Sequence, residues 1–450
     1  MSQYRTLNRE IRRISMPTMY GMLFTSLYDI VDMFYIGMIG SEAVAATTIY
    51  LALFWALEIL NEIVGTSSVS LLSRSWGSRE GERTARIAEQ TLVFKALLGG
   101  IGAVLLLATL PFLYRIFTAD SAVIAHGLRY GSVRTLFVPI FFSSYTVHTI
   151  FRSVGDAKTP MYLLLTTALL NLILDPIFMF DTIPLVGLPG LGWGMAGAAL
   201  ATGISYLVAF LAGFIRLIRG KAPLTIRLAG LLHLDRELDK KLLTIGLPSG
   251  LNMLLKSLVG FIFLRLVAVY GTLAIAALGV ANRVYHFAAM PSGGLAMGSG
   301  FIVGQRLGSS RIDEARTVSY LSMVNGILFS LPLALLLLLF PSQILSLFLS
   351  DSAGTASTAV PLLRIYAFCL IPLAINGGLG SAFYGSGHVK PVLYSFLASG
   401  YLVQLPYALV VTLLFKLPLS WLWFAYLLGD VVECALRFWW FKGGKWARYP

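Results

Sequence analysis

Apolar segments of about twenty residues alternate with short polar stretches along the whole chain. They fall at roughly 15–37, 46–73, 92–114, 130–152, 160–181, 193–218, 243–269, 275–302, 317–340, 358–382, 392–415 and 418–441. A helix needs ~20 apolar residues to cross a bilayer. The pattern therefore predicts an all-α integral membrane protein with twelve transmembrane helices. The period-two alternation of a membrane β-barrel is absent from these segments.

The polar punctuation repeats. Pro17, Gly40, Ala43, Ala45, Ala46 and Gly77 recur 231 residues later as Pro248, Gly271, Ala274, Ala276, Ala277 and Gly308. Phe151, Gly155 and Lys158 recur 232 residues later as Phe383, Gly387 and Lys390. Six spans per copy is an even number, so both copies enter the membrane from the same side and the repeat is parallel. The expected division is a first lobe at 1–220, a linker at 221–241 and a second lobe at 242–450. In the linker, Leu231, Leu232, Leu234 and Leu238 among Asp235, Arg236, Glu237 and Lys240 read either as a short interfacial helix or as a plain ordered connection. Two basic, glycine-punctuated turns recur in each copy, Arg74–Arg86 with Gln305–Arg316, and Phe151–Pro160 with Phe383–Pro391. Glycine supplies positive φ there, and Pro160 and Pro391 can open the next helix.

Composition agrees with the pattern. The 450 residues are 57% hydrophobic and 12% charged, against roughly 25% charged in soluble domains. No cleavable signal peptide is expected, because the apolar run after the basic first residues is long and lacks a small-residue cleavage site. Cys369 and Cys434 both sit inside apolar segments and read as packing residues. The net charge of +13 invites a nucleic-acid reading, which its distribution removes. Of the 34 Lys and Arg, 25 lie before the first span or after even-numbered ones. That is the positive-inside pattern, with both termini cytoplasmic in a multi-pass plasma or inner membrane protein. The expected partners are the lipid bilayer and small organic substrates, with no nucleic acid, and the expected state is a monomer.

Charge inside a span costs roughly 2.5–3.5 kcal/mol on insertion scales, so intramembrane ionisable residues are candidate functional groups. At 1.5 Å per residue, Asp32 lies about 28 Å above Arg13 and Asp175 about 25 Å above Lys158. The two carboxylates thus reach similar depths in the outer half. Asn171 precedes Asp175 by four residues on one helix face. Thr202 lies about 13 Å below the outer surface, with Ala198 one turn before it. Two carboxylates, an amide, a hydroxyl and a carbonyl make an oxygen-rich pocket. It suits Na⁺ at Asp32, Asn171, Asp175 and Thr202, or equally a shared proton. A structural hydrogen-bond pair is the plain alternative. The second copy carries Phe263 and Tyr407 at the places of Asp32 and Asp175. Asp29, Glu58 and Glu62 are further candidates, and Lys95 is placed to pair with Glu62. His148 is expected to snorkel to the interface, and Arg134, Arg265 and Arg283 to lie near outer helix ends. Asp430 and Glu433 lie close to Arg437, while Lys256 sits at mid-depth with no assigned role.

The segments Ser26–Gly37 with Glu42–Ala46, Phe151–Pro160 with Asn171–Pro176, Gly197–Thr202 and Arg437–Trp446 together resemble the multidrug and toxic compound extrusion (MATE) family, in its N-lobe-carboxylate, DinF-like form. The resemblance runs the length of the chain. It implies two six-helix lobes forming a V, with alternating access to a central cleft. It implies a non-enzymatic antiporter without cofactors, in which H⁺ or Na⁺ enters as an organic, often cationic compound leaves. Asp32, Asn171, Asp175, Ala198 and Thr202 match the cation-coupling positions of such members, and Pro17 matches a first-helix proline linked to helix bending. Asp29 and the Glu58/Glu62 pair depart from the family pattern. A flippase for lipid-linked precursors shares the duplicated build but calls for several mid-depth cations in both lobes. An intramembrane aspartyl protease would use Asp32 and Asp175 as a dyad, but has no use for the duplication.

Overall fold

The computed structural model describes residues 2–184, 186–232, 234–347 and 353–448. They fold into α-helices joined by short turns, and no strand occurs among them beyond one isolated bridge, Thr182 with Pro189. Among the described residues, eleven helical segments are long and apolar enough to cross a membrane. In chain order, the helices of the first half are α1 (Ser2–Ile39), α2 (Ser41–Gly77), α3 (Gly81–Phe117), α4 (Ser121–Leu136), α5 (Val138–Ser153), α6 (Lys158–Met179) and α7 (Gly194–Ile218). The second half holds α8 (Arg236–Ala268), α9 (Thr272–Gly308), α10 (Ile312–Leu339), α11 (Pro341–Ser346), α12 (Ala353–Ser386), α13 (Lys390–Phe396), α14 (Leu405–Leu409) and α15 (Leu419–Lys442).

The fourth expected span is a broken pair rather than one helix. It starts earlier than its apolar run, because the Asp120 carboxylate caps α4 by accepting from the amides of Ala122 (2.8 Å) and Val123 (3.3 Å). It breaks at Phe137, two residues before Pro139, whose ring removes an amide donor. The eleventh span, from Lys390 to Leu414, is irregular in another way. Two π-helical runs, Leu397–Gln404 and Val410–Leu414, flank α14.

The duplication is visible in the backbone. Gly40 and Gly271 take positive φ ahead of α2 and α9, and Gly155 and Gly387 do so in the second pair of turns. In the first pair the positive-φ residues are Arg79 and Ser310, again 231 apart, rather than the glycines Gly77 and Gly308.

Two compact units result, Tyr20–Gly246 and Leu247–Pro450 together with Met1–Met19. In the first, tyrosines stitch the helices. The Tyr114 hydroxyl donates to the Ala46 carbonyl (2.7 Å), and Tyr50 pairs with Thr135 (3.0 Å). Glycines let neighbouring helices approach: a Cβ at Gly127 of α4 would meet the Tyr114 ring of α3, and one at Gly203 of α7 the Phe137 ring at the end of α4. In the second unit, the start of α1 docks on α9 and α10. Ser15 donates to the Leu295 carbonyl (3.4 Å), Asn325 to Asn8 (2.7 Å), and Glu10 pairs with Arg306. Phe263 and Tyr407, at the places of Asp32 and Asp175, belong to its apolar core. The Phe263 and Tyr426 rings lie tilted against each other, 4.6 Å between centroids, and Tyr407 donates to the Trp421 carbonyl (3.1 Å).

The linker forms a 3-10 turn, Leu228–Leu232, rather than an α-helix of its own, and Leu234 and Leu238 lead into α8. Acidic side chains fasten it to α3. Glu89 accepts from the Arg227 amide (2.6 Å), Arg86 pairs with Asp235 (2.8 Å), and Gln90 donates to Asp239 (2.6 Å).

Candidate functional site: a buried carboxylate pair

Helix α6 presents Asn171 and Asp175 one turn apart, and both are fully buried. The Asn171 amide donates to Asp175 Oδ1 (3.0 Å) and to Thr202 Oγ1 on α7 (3.3 Å). The Thr202 hydroxyl donates in turn to the Ala198 carbonyl (3.0 Å). The close approach of α6 and α7 that permits this rests on Gly197, where a Cβ would stand 2.4 Å from the Phe178 carbonyl oxygen. Asp32, buried on α1, brings its carboxyl within hydrogen-bonding reach of Asp175. Sequence spacing thus placed these five residues in one constellation, and the fold assembles them.

The constellation is short of donors. Asp32 Oδ1, Asn171 Oδ1 and Asp175 Oδ2 are buried acceptors without a hydrogen-bond partner. A buried polar atom left unsatisfied costs roughly 1–3 kcal/mol. Two ionised carboxylates in contact are acceptors only and repel each other. One proton, or one small cation, between them answers both problems.

A residue expected at an outer helix end turns out to face this pair. Arg134, in the last turn of α4, is half-buried, and its positive charge acts on Asp29, Asp32 and Asp175 alike. Its guanidinium donates to the Tyr28 hydroxyl (3.3 Å) and lies over the Tyr206 ring, 5.9 Å from the centroid. Asp29, one residue after Tyr28, is exposed.

Glu58, Glu62 and Lys95 form a second cluster. Lys95 does not pair with Glu62 as expected. It is fully buried, donates to Asn61 Oδ1 (2.6 Å) and sits 4.5 Å over the Tyr145 ring. Asn61 passes the contact on to Glu58 Oε2 (3.2 Å), while Glu62 accepts from Thr66 (2.5 Å). The intervening amide separates the charges, and the i, i+4 hydroxyl satisfies Glu62 locally. His148 does not snorkel either. It is 5% exposed, and its Nε2 has no partner. Pro17 is buried inside α1, which continues through it as one helix.

In the second unit, Glu433 and Arg437 form a buried ion pair one turn apart on α15, and Arg437 also donates to the Asn376 carbonyl (3.1 Å). Lys256 lies over the Phe396 ring (5.1 Å), with Asp430 and Glu433 as its charged neighbours. Arg283 is exposed.

The MatE family profile matches residues 17–177 and again 248–426, two segments whose starts, Pro17 and Pro248, are 231 residues apart. The chain is 30% identical over 425 residues to the probable multidrug resistance protein YoeA of Bacillus subtilis, covering 93% of this chain and 90% of that one. It is 23% identical to the probable multidrug resistance protein NorM of Thermotoga maritima, over 98% and 94% of the two chains. Among solved structures, a transporter of the MOP superfamily from Pyrococcus furiosus superposes with a TM-score of 0.89 at 24% identity, covering 97% of this chain and 95% of that one. The Vibrio cholerae MATE transporter VcmN, in a mutant form, gives 0.90 at 21% identity, over 99% and 98%. These likenesses show the fold, and the doubled profile match with the identity to YoeA shows the kinship: the chain belongs to the MatE family.

Proposed function

We propose that this protein is a secondary antiporter that exports organic, often cationic amphiphiles in exchange for H⁺ or Na⁺. Alternating access carries the exchange, and the coupling cation binds at Asp32, Asn171, Asp175 and Thr202, with the Ala198 carbonyl beside them. The observation that carries this reading is the contact of two buried carboxylates, each with one unpartnered oxygen and with the unpartnered Asn171 Oδ1 on the same helix as Asp175, in one repeat only. A purely structural pair would have its acceptors satisfied. The family supports the export half of the reading, since relatives across 90% or more of their length are named for multidrug resistance. The positive-inside pattern supports a topology with both termini in the cytoplasm.

The test uses purified protein in liposomes loaded with ethidium. Efflux is followed after imposing a proton gradient alone, then a sodium gradient alone, so that the two arms identify the ion. Asp32→Asn and Asp175→Asn are expected to abolish gradient-driven efflux while eluting as folded protein. Efflux at the parent rate in both variants would end the proposal.

A further inference from the structure

A cluster of three carboxylates with no nearby positive charge would bind a cation and keep it. An antiporter must also let the ion go, once in every cycle. Arg134 is placed to bring this about. Its guanidinium rests on neutral partners, the Tyr28 hydroxyl and the Tyr206 ring, and it is ion-paired to no carboxylate among the described residues. Yet Tyr28 is the chain neighbour of Asp29 and lies one helical turn before Asp32. The charge of the guanidinium already acts on Asp29 and Asp32, and rotation about its own side-chain bonds would carry it from the hydroxyl towards them. Guanidinium suits the task, since it is always charged and matches carboxylate geometry with two parallel donors.

Two further observations point the same way. Arg134 stands at the C-terminal turn of α4, where the span breaks at Phe137. The negative end of a helix dipole favours a cation in the last turn, so the resting position is itself tolerable for the charge. The repeat supplies the other. Carrying the 232-residue shift back from Phe383 puts Tyr366 opposite Arg134, and that tyrosine simply donates to Asn282 (2.5 Å). The copy that lacks the carboxylates also lacks the arginine.

We propose that Arg134 is the resident counter-cation of this site: its guanidinium and the coupling cation alternate on the Asp29–Asp32–Asp175 carboxylates, and the arginine's approach releases the ion. The inference rests on the coupling site proposed above and adds a positioning residue to it. It holds for either ion, since both bring one positive charge.

Arg134→Gln, Arg134→Lys and Tyr28→Phe are reconstituted with ethidium, alongside Asp32→Asn. Half-saturation for the driving cation and maximal efflux are measured separately. Removing a unit charge at this range shifts cation affinity on the order of tenfold to a hundredfold. Arg134→Gln is expected to lower the half-saturating concentration by about that factor and to slow maximal efflux, because release becomes limiting. Arg134→Lys should stay within a few-fold of the parent. Tyr28→Phe frees the guanidinium for the carboxylates, so its half-saturation should rise, opposite in sign to Arg134→Gln. A structural role would lower yield and maximal rate in all three without moving half-saturation. That result overturns the proposal, as would shifts of the same sign in Arg134→Gln and Tyr28→Phe. If Arg134→Gln fails to fold, the sign of the Tyr28→Phe shift alone decides. Parent-like efflux from Asp32→Asn would instead refute the coupling site itself.

Discussion

Replacing Lys95 with methionine removes a charge that the fold has enclosed completely. The side chain is 0% exposed, its ammonium donates to Asn61 at 2.6 Å, and it rests 4.5 Å over Tyr145. Methionine fills similar volume, so the loss is electrostatic. Asn61 Oδ1 is left as a buried acceptor without its donor, at roughly 1–3 kcal/mol. The cation–π contact is worth about 0.5–2 kcal/mol. Glu58 and Glu62 lose the cation that faces them both. Breaking a fully buried pair costs about 3–5 kcal/mol, and because the two glutamates are only half-buried we expect about 3 kcal/mol. Adding Glu58→Gln to Lys95→Met removes the stranded charge and should restore about half of that loss. In the parent the same Glu58→Gln should be mildly destabilising, so its effect changes sign with the background. Unfolding in mixed micelles at increasing SDS fraction, followed by tryptophan fluorescence, measures all four proteins. A Lys95→Met variant within about 0.5 kcal/mol of the parent, the range of an ordinary surface change, would refute the reasoning. So would a double variant less stable than Lys95→Met.

Other outcomes follow from single contacts. Gly197→Ala puts a Cβ 2.4 Å from the Phe178 carbonyl oxygen, so α6 and α7 must separate. A loss of about 1–3 kcal/mol in the same unfolding assay is expected, together with weaker cation coupling in liposomes. Thr202→Val removes the hydroxyl that accepts from Asn171 at about 1 kcal/mol, and half-saturation for the driving cation should rise. Arg437→Met strands the buried Glu433 carboxylate at about 3–5 kcal/mol, and Glu433→Leu in the same chain should recover most of it. His388, between α12 and α13, is held below its ordinary value of 6.5 by burial and by Lys390 and Lys445. The unfolded chain therefore takes up the proton first as pH falls. Stability present above pH 6.5 should decline below it, and His388→Gln should flatten that acid limb in a pH series of melts.

The five residues of the carboxylate site were legible because their logic is one-dimensional. Asn171 with Asp175, and Ala198 with Thr202, share a helix face by spacing alone, and counting residues from a basic end sets depth. Arg134 was not legible by that count. Arg129 and His126 interrupt the apolar run, so the pattern begins the fourth span near 130 and sets Arg134 at its mouth. The helix starts nine residues earlier, at Ser121, which puts Arg134 well inside. The signal was present in Asp120 before Ser121, a helix-capping pair. The partners of Lys95 escaped for another reason. Distance along an axis says which charges share a level, but not that an amide such as Asn61 stands between them. The first nineteen residues pack with the second unit although they belong to the first repeat, because Ser15, Asn8 and Glu10 find their partners on α9 and α10.

The eleventh span carries a property that its neighbours lack. In Leu397–Gln404 and Val410–Leu414 the bonds reach five residues back, as from the Phe415 amide to the Val410 carbonyl (2.9 Å). Each such ring holds one residue more than an α-helical ring. The span is thus a screw with spare thread. Tightening one wide ring to the ordinary pitch turns everything beyond it by about 100° and shifts it by about 1.5 Å. Apart from Pro406, which has no amide to donate, the backbone can stay helically bonded through such a change, as hydrocarbon surroundings favour. Tyr407 would then rotate away from the Trp421 carbonyl, and a different stripe of side chains would face the helix's neighbours. Deleting one residue from Leu397–Gln404 should cost far less than deleting one from the evenly wound α10, since the first removes slack and the second removes a tooth.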